Sequence, residues 1–218
     1  SGRSGYHTDT TLLKVENFVE QVEALKTSLG LKEFYLHGHS WGTALALEYY
    51  LKYPKGIKAI IFNSPYFSTS LWKADADTLI TTLPDSIQLA IKTGEKNHDY
   101  GSPAYKNANE VFYKNFGVRK TKLTSELDTS TAKGNEFIYN YMWGPTEFTA
   151  AGTLINYNRV QSLKTIKVPT LFITGEFDEA RPVTVKYFQS LVPNSKFVMI
   201  DGAGHGTMHD NKGQNISA

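Results

Sequence analysis

The chain has 218 residues, of which 40% are hydrophobic and 20% charged, and its formal net charge is +2. This is the composition of an ordinary globular domain, and so small a net charge gives no reason to expect a nucleic-acid partner. No apolar run approaches the roughly 18 residues of a membrane span. Because the sequence has no cysteine, disulfides and cysteine-based metal sites are excluded. We expect a cytoplasmic protein with no membrane partner.

The first 65 residues alternate between helical and strand patterns. Apolar residues recur every three or four positions over residues 13–29, which predicts an amphipathic helix. Short apolar runs at residues 34–36 and 57–62 predict buried strands, and residues 43–51 between them predict a second helix. Buried strands that lack polar alternation and are separated by helices are typical of a parallel sheet covered on both faces. We therefore predict an α/β fold with a mostly parallel sheet.

The alternation is interrupted from residue 66 to about residue 163, where aromatic residues mix with Lys, Asn and Thr. Helical patterns occur there at residues 78–91 and 102–116. The strand pattern returns at residues 168–174 and 196–200, with a helix between them that begins at Pro182 and ends near residue 191. We predict that residues 66–163 form a helical cap inserted between two parts of an α/β core, residues 1–65 and 164–218.

The stretch Gly38-His39-Ser40-Trp41-Gly42 lies between the first predicted strand and the following helix. A strand, a G-x-S-x-G turn and a helix are the context of a nucleophile elbow, which exposes a serine hydroxyl above a sheet. We expect the flanking glycines, Gly38 and Gly42, to be needed because side chains would clash in so tight a turn. The alternative is a glycine-rich loop in which Ser40 caps the helix.

Two further residues complete a candidate catalytic set with Ser40. A serine hydroxyl needs a base to accept its proton and a carboxylate to orient that base. In folds of this kind the chain order is serine, acid, histidine. Ser40, Asp178 and His205 have that order, and each follows a predicted strand, at the end where ligands bind to open α/β sheets. Taken singly, Asp178 and His205 could each be turn residues.

The other histidines fit the base role less well. His37 lies in the predicted strand and His39 in the elbow, where a side chain cannot easily reach the serine hydroxyl, so we expect both to be packing or supporting residues. His205 and His209 lie close in sequence, with Asp210 nearby, but they lack a convincing third ligand for a metal site. We therefore predict a site without a metal or another cofactor.

These motifs resemble the proline iminopeptidase family of α/β-hydrolases over nearly the whole chain. Residues 1–4 resemble the end of the family's glycine-rich loop, and residues 38–42 its elbow, including the tryptophan. The stretch Tyr-Met-Trp-Gly-Pro-Thr-Glu-Phe-Thr at residues 141–149 resembles its cap segment. Residues 175–182 resemble its acid loop, and residues 204–205 its histidine loop. The resemblance implies release of an N-terminal residue, typically proline, from short peptides without a metal.

The resemblance also implies roles for residues around the candidate catalytic set. Glu147 and Glu179 are implied to bind the free N-terminal amine of the peptide; the alternative is that both are surface glutamates. Three aromatic residues near Glu147 are suited to enclosing a pyrrolidine ring, namely Tyr141, Trp143 and Phe148. The backbone N–H of Trp41, which follows the nucleophile, is expected to donate one hydrogen bond to an oxyanion.

The chain departs from the family pattern in four respects. A His-Gly-Gly-Pro-Gly segment that supplies half of the family's oxyanion hole is absent, as are the strands that precede it, so we expect a chain truncated at both ends. The strand at residues 34–36 is then expected inside the complete sheet, with an exposed edge in residues 1–218 alone. The resemblance implies a final helix after the histidine loop, and we expect the chain to end at Ala218 before that helix. Gly206 stands where the family suggests methionine.

Three functions remain open from the sequence. The first is a serine aminopeptidase that releases N-terminal proline. An esterase or amidase acting on small molecules could use the same three residues, because a fold does not fix a substrate. The third is a binding protein that keeps the fold without catalysis. The sequence leaves the oligomeric state open.

Overall fold

The computed structural model describes residues 5–120 and 125–218. Residues 1–4, which resemble the end of a glycine-rich loop, lie outside the described residues. A short 3₁₀ turn, Thr10–Leu12, precedes the first helix, α1, at Val15–Ser28. The next elements are β1 at Phe34–His39, α2 at Trp41–Lys52 and β2 at Ile57–Asn63. These elements agree in type with the prediction, and both strands extend further at their carboxyl ends.

The segment after β2 is helical. Its elements are α3 at Thr69–Ile80, α4 at Asp85–Asn97, α5 at Pro103–Phe112, a π-turn at Tyr113–Gly117, α6 at Ser125–Ala132, α7 at Glu136–Met142 and a 3₁₀ turn at Val160–Thr165. The described residues between β2 and β3 contain no strand, only two isolated bridges. The boundaries of a cap at residues 66 and 163 stay a prediction.

The core resumes with β3 at Thr170–Gly175, α8 at Pro182–Ser190 and β4 at Ser195–Ile200. Two short helices follow, α9 at Thr207–Asp210 and α10 at Lys212–Ser217. The expectation that the chain ends before a helix that follows the histidine loop is therefore wrong. Polar residues dominate this stretch, so it carries no apolar periodicity. None of the described helices is long and apolar enough to cross a membrane.

The four strands form one sheet in the order β1-β2-β3-β4, and every neighbouring pair is parallel. The predicted α/β fold with a parallel sheet is thus confirmed. Spatial order follows chain order, so the helical segment leaves the sheet after β2 and returns at β3. Because the strands are parallel, their carboxyl ends all meet at one edge. The chain therefore brings the segments after residues 39, 63, 175 and 200 together at this edge.

The core lies between the sheet and its helices. Phe62 of β2 is fully buried, with its ring centroid 4.9 Å from that of Phe67 and 5.4 Å from that of Phe172 on β3. Leu47 and Tyr49 of α2 are equally buried against the sheet. Full burial of each such side chain stabilises the fold by about 1.5–3 kcal/mol. This packing holds the strand ends in fixed positions.

The strand β1 lies at an edge of the sheet, as expected for residues 1–218 alone, and is more exposed than its apolar residues predict. Among the described residues it pairs with β2 alone, and Tyr35 is 73% exposed while His37 is exposed beside it. The prediction that His37 is a packing residue is not supported, because its side chain is exposed in the described part of the chain. Whether a further strand lies beside β1 in a longer chain stays a prediction.

The prediction of a single helix at residues 78–91 is wrong. The chain instead ends α3 at Ile80 and begins α4 at Asp85, because Pro84 lacks an N–H and its ring would clash with the carbonyl of the residue four positions earlier. Leu83 and Ile87 are buried on both sides of the break, so the apolar pattern continues where the helix does not. The helix predicted at residues 102–116 is present as α5, capped by Ser102, and widens into the π-turn at its end.

Candidate active site

Ser40 lies between β1 and α2 in a backbone conformation that is rare for a residue with a side chain. Its φ is 54° and its ψ is −128°, and such strain persists only where the surrounding structure enforces it. A Cβ atom on Gly38 would lie 2.3 Å from the carbonyl oxygen of Gly42, so Gly38 must lack a side chain. Gly42 itself faces open space, and the expectation that it avoids a clash is wrong. The Ser40 side chain makes no capping hydrogen bond to α2, which removes the support for the alternative of a capping serine.

Asp178 follows β3 and is the most completely hydrogen-bonded carboxylate of the site. Its Oδ1 accepts a hydrogen bond from the N–H of Ala180 at 2.8 Å, and its Oδ2 accepts from the Thr174 hydroxyl and the Gly175 N–H, both at 3.1 Å. The Ser64 hydroxyl also donates to Oδ2, at 2.6 Å. Burial alone would raise the pKa of Asp178, but the neighbouring His205 and these donors outweigh it and lower the pKa below its usual value. The carboxylate is therefore ionised.

His205 lies in the loop after β4, with its ring against Asp178. Nδ1 of His205 is 2.8 Å from Oδ1 of Asp178, so the carboxylate fixes the orientation of the ring. Nε2, the other ring nitrogen, is buried and has no hydrogen-bond partner among the described residues. The ring of Trp72 stands at 83° to the imidazole, with the centroids 5.5 Å apart. Asp178 and His205 are thus brought together as predicted, and Nε2 is left free to bind a proton.

The backbone of His205 is held from both sides. Its N–H donates to the carbonyl of Phe116 in the π-turn at 2.8 Å, and its carbonyl accepts from Nε2 of His39 at 2.9 Å. The Ser64 hydroxyl oxygen lies 3.1 Å from the same carbonyl oxygen. Burial and the neighbouring His205 lower the pKa of His39 to about 4, so its ring is neutral and can donate this bond. The structure therefore agrees with His39 as a supporting residue.

Ser64 is a residue of the site that the sequence analysis missed. It follows β2 at the same sheet edge, is fully buried and has a φ of 50°, the left-handed region that side chains disfavour. Its position directly after a buried strand was a signal that could have been used. Its contacts with both Asp178 and His205 could not be read from the sequence, because they depend on this unusual backbone turn.

The two candidate amine-binding glutamates both lie near enough to His205 to raise its pKa. Glu179 is 2% exposed, with Oε1 3.7 Å from Nδ1 of His205, and neither of its carboxylate oxygens has a hydrogen-bond partner among the described residues. Burial first, and then the nearby Glu147, raise the pKa of Glu179 well above its usual value. Glu147 is partly buried and lines a cavity in the cap. The alternative of surface glutamates is wrong for Glu179.

A cavity of about 880 Å³ lies between the elbow and the helical segment. Ser40 and Trp41 line one part of it, and Glu147 lines another. Three cavity-lining rings, which we name the aromatic corner, stand almost perpendicular to one another: Tyr66, Trp72 and Trp143, with centroids 5.4–6.1 Å apart. The indole N–H of Trp72 donates to the Glu147 carbonyl at 2.9 Å, so the corner is tied to the segment that carries this glutamate.

The structure separates the three aromatic residues predicted to enclose a ring. Trp143 lines the cavity, but Tyr141 and Phe148 do not. Tyr141 is on the outer side of α7, stacked on Phe137 at 6.2 Å, and Phe148 is buried inside the helical segment against Phe112 at 4.9 Å. The prediction is therefore wrong for these two residues, because adjacency in sequence did not reveal which side of α7 and of the following turn faces the cavity.

Other aromatic residues line the cavity in their place. They are Tyr66, Trp72, Tyr113 and Tyr139. Desolvation and then the Glu147 carboxylate raise the pKa of Tyr113 to about 12, so its hydroxyl stays protonated and can donate to a carboxylate or a substrate carbonyl. A correct helical phase for α7 would have selected Tyr139 rather than Tyr141.

No group of three histidine or carboxylate side chains in the described ranges could hold a metal ion. Asp210, one of the residues weighed for such a site, instead accepts hydrogen bonds from backbone N–H groups. They are those of Arg119 at 2.9 Å, Lys120 at 2.8 Å and Gly204 at 2.9 Å. Asp210 thereby joins the histidine loop to the segment that follows the π-turn.

Comparison with known proteins supports a family assignment. The family described as alpha/beta hydrolase fold matches residues 1–212. A proline iminopeptidase from Heyndrickxia coagulans is 40% identical over 205 residues, which cover 94% of this chain and 71% of the relative. The chain belongs to the proline iminopeptidase family of α/β-hydrolases. A second relative, the proline iminopeptidase of Lactobacillus helveticus, is 36% identical over 87% of this chain and 65% of its own length.

Solved structures of similar proteins agree with this assignment. The crystal structure of the proline iminopeptidase from Mycobacterium smegmatis matches 98% of this chain and 73% of its own, with a TM-score of 0.88 and 27% identity. The structure of VinJ matches the fold with a TM-score of 0.89 at 24% identity, covering all of this chain and 73% of its own. The chain thus spans about two thirds to three quarters of the length of these relatives.

Two family features have a local structural explanation in this chain. A Cβ atom on Gly206, where the family suggests a larger residue, would lie 2.7 Å from Cγ2 of Val118, so Val118 fills the space beside the histidine loop. Trp41 is the first residue of α2, and the N–H groups of a helix's first turn have no partner within the helix. The Trp41 N–H is therefore available to an oxyanion.

Proposed function

We propose that this protein is a serine aminopeptidase that releases N-terminal proline from short peptides through an acyl-enzyme. The observation that carries the proposal is Glu179, a buried carboxylate without hydrogen-bond donors beside His205. A buried carboxylate needs a charged partner, and a peptide's N-terminal ammonium next to the scissile bond would supply one. The relatives named proline iminopeptidase support the same choice.

In the proposed reaction Ser40 is the nucleophile and His205 the general base. Nε2 of His205 accepts the proton of the Ser40 hydroxyl while the serine Oγ bonds to the carbonyl carbon of the N-terminal residue. The Trp41 N–H stabilises the negative charge that develops on the carbonyl oxygen. His205 then gives the proton to the leaving peptide nitrogen as the C–N bond breaks. Water hydrolyses the resulting ester by the same proton route, and Asp178 stabilises the imidazolium at each stage.

Substrate selection is assigned to the cavity. Glu147 and Glu179 would bind the secondary ammonium of proline through charge-assisted hydrogen bonds, which are stronger than neutral ones. The aromatic corner, formed by Tyr66, Trp72 and Trp143, offers rigid apolar faces to the pyrrolidine ring, a role that we had expected of Tyr141 and Phe148. Ser40 and Glu147 line the same cavity, so one substrate can reach both.

The test compares a substrate with a free amine and one without. We expect Glu147→Gln to lower kcat/KM for a prolyl naphthylamide by about 1.5–3 kcal/mol, the range for hydrogen bonds to charged groups, or roughly 10- to 150-fold. Hydrolysis of a small ester without an amine should stay nearly unchanged. The matched control is Glu136→Gln, which removes an exposed carboxylate from the lining of the same cavity and should leave both rates unchanged.

Three results would contradict the proposal. If Glu147→Gln lowered both rates equally, Glu147 would be a structural residue. If a fluorophosphonate failed to label Ser40, the protein would be a binding protein without catalysis. If Ser40 were labelled but the ester alone were hydrolysed, the esterase alternative would take the place of the peptidase.

A further inference from the structure

The imidazole of His205 faces two carboxylates of very different character. Nδ1 is 2.8 Å from Oδ1 of Asp178 and 3.7 Å from Oε1 of Glu179. Asp178 accepts four further hydrogen bonds from protein donors, whereas neither oxygen of Glu179 has a partner among the described residues. Glu179 is thus a buried carboxylate whose one nearby basic group is the ring on which catalysis depends.

The other groups around His205 do not supply a positive charge. His39, from the elbow, stays neutral, because burial and His205 lower its pKa to about 4. Glu147 from the cap adds a third carboxylate, and Trp72 from α3 is uncharged. Tyr113 and Tyr139, which face the glutamates, carry only neutral hydroxyls. In the described part of the chain, His205 is the one basic side chain within 4.0 Å of Glu179.

We propose that Glu179 links the protonation of His205 to the presence of an amine in the site. In the empty site His205 keeps a proton as the counter-ion of Glu179. A bound ammonium replaces the imidazolium in this role, and the proton of His205 leaves to solvent. One positive charge enters and one leaves, so the buried charge is unchanged. This inference rests on the proposed aminopeptidase function and makes Glu179 a positioning residue that acts through His205.

Burial and the nearby Glu147 raise the pKa of Glu179 well above its usual value, so its carboxylate is charged only where a cation lies beside it. In the empty site that cation is His205, 3.7 Å away. Burial opposes a charge on His205, but Glu179, Asp178 and Glu147 together raise its pKa to about 9. A histidine with this pKa is almost fully protonated at neutral pH, and an imidazolium cannot accept the serine proton. A cation beside Glu179 cancels the largest of these attractions, so the pKa falls towards the ordinary value of about 6.5. The base then forms only where a substrate amine is in place.

The inference has a functional consequence that differs from simple recognition. Amine binding by Glu179 alone would raise the affinity of the site for peptides. A link between Glu179 and His205 also lowers the rate at which the site reacts with compounds that lack an amine. Esters and acyl donors without an amine would meet a protonated His205 at neutral pH. The enzyme would therefore discriminate against these compounds because His205 is protonated, not because the cavity excludes them.

The experiment measures how fast a small fluorophosphonate without an amine labels Ser40 as a function of pH. Labelling needs neutral His205, so in the wild-type protein we expect its rate to rise with a midpoint near 9. Saturating pyrrolidine, which is protonated over this range, should occupy the amine site and lower the midpoint by about two units. Comparing midpoints avoids any effect of pyrrolidine on the absolute rate.

Two variants complete the test. In Glu179→Gln the midpoint should lie about two units lower than in the wild type and should no longer respond to pyrrolidine. The matched control is Glu176→Gln, which removes an exposed carboxylate from the same loop and should titrate like the wild type. If the wild-type midpoint lay near 6.5 and ignored pyrrolidine, the inference would be wrong, and this arm does not depend on the folding of any variant.

Failure of this inference and failure of the proposed function are distinguishable. A protein that cleaves a prolyl naphthylamide, but whose labelling midpoint is ordinary and unresponsive, would overturn the link between Glu179 and His205 alone. A protein with a high, pyrrolidine-sensitive midpoint that does not cleave the prolyl substrate would overturn the proposed aminopeptidase function.

Discussion

Ser64 joins the two residues of the candidate acid–base pair. Its hydroxyl donates to Oδ2 of Asp178 at 2.6 Å and lies 3.1 Å from the carbonyl oxygen of His205. Since the hydroxyl has one proton, the shorter contact with the charged acceptor takes it. The strained φ of 50° is what directs the side chain to this point. The strained backbone of Ser64 therefore places its hydroxyl where it fixes the carboxylate of Asp178, and this carboxylate orients His205.

We predict that Ser64→Ala lowers kcat by about tenfold or more with little change in KM, because a hydrogen bond to a charged group is lost. Ser64→Gly is the matched variant, since it removes the same hydroxyl while relieving the strain, which costs about 1–3 kcal/mol in a non-glycine residue. The two variants should share one kcat, and the glycine variant should have the higher Tm. Normal kcat in Ser64→Gly would show that the hydroxyl is not needed.

Some residues of the candidate site could be found from the sequence, and others could not. Asp178 and His205 could be found because chain order and position after a buried strand are both visible in one sequence. The hydrogen bond from Ser64 to Asp178 could not be found in this way, because it depends on a backbone turn that residue type does not predict. Tyr141 and Phe148 were chosen for their distance from Glu147 along the chain, whereas contact with the cavity depends on which side of α7 a residue occupies.

At the scale of elements, the π-turn at Tyr113–Gly117 supports the histidine loop, residues 201–206. Phe116 and Gly117 each offer a carbonyl, to the N–H of His205 at 2.8 Å and of Gly206 at 3.0 Å. A Cβ atom on Gly204 would lie 2.5 Å from the Gly117 carbonyl oxygen and 2.7 Å from that of Phe116. The two segments can approach this closely only because residue 204 lacks a side chain.

We therefore predict that Gly204→Ala displaces the histidine loop, lowers Tm and removes most of the activity towards prolyl substrates. The matched control is Gly202→Ala in the same loop, where the new Cβ meets open space and only the φ of 67° is disfavoured. That variant should lose about 1–2 kcal/mol of stability and keep its kcat. Thermal unfolding and kcat measured on both proteins decide the matter, and equal kcat in the two would contradict the prediction.

The elements themselves were predicted where local pattern and tertiary environment agree. Strands β2 and β3 are apolar runs whose residues are mostly buried, whereas β4 also exposes Lys196 and Met199. The break between α3 and α4 was missed because buried Leu83 and Ile87 continue the helical periodicity across Pro84. The proline overrides that periodicity by removing a hydrogen-bond donor, so its presence was the better signal.

For the molecule as a whole, β1 is an exposed edge of the sheet formed by the described residues, and β4 is the opposite edge. Among the described residues β1 pairs on one side only, and Tyr35 adds a large apolar side chain to the exposed surface. An unpaired apolar edge is a template for association with another chain. The parallel sheet and the position of the helical segment were predictable from the sequence. The exposure of β1 was not predicted from its own residues, whose apolar character suggested a buried strand.

We predict that residues 1–218, prepared alone, self-associate in a concentration-dependent way. Tyr35→Lys should reduce this association, because a charge on an edge strand opposes pairing. Leu89→Lys, at an equally exposed apolar position on α4, is the control and should associate like the wild type. Light scattering after size-exclusion chromatography measures the effect. A monomer at every concentration, in all three proteins, would contradict the prediction.

The hydrogen bonds from the π-turn to the histidine loop bear on how such hydrolases can be recombined. Segments inserted between strands are natural units for grafting, because function resides in sites built onto a common fold. Here the inserted segment also supplies the carbonyls of Phe116 and Gly117 that hold His205, and the N–H groups that bind Asp210. A graft that replaces this segment replaces part of the support of the base, so a transplant has to retain residues 113–120 or bring an equivalent with it.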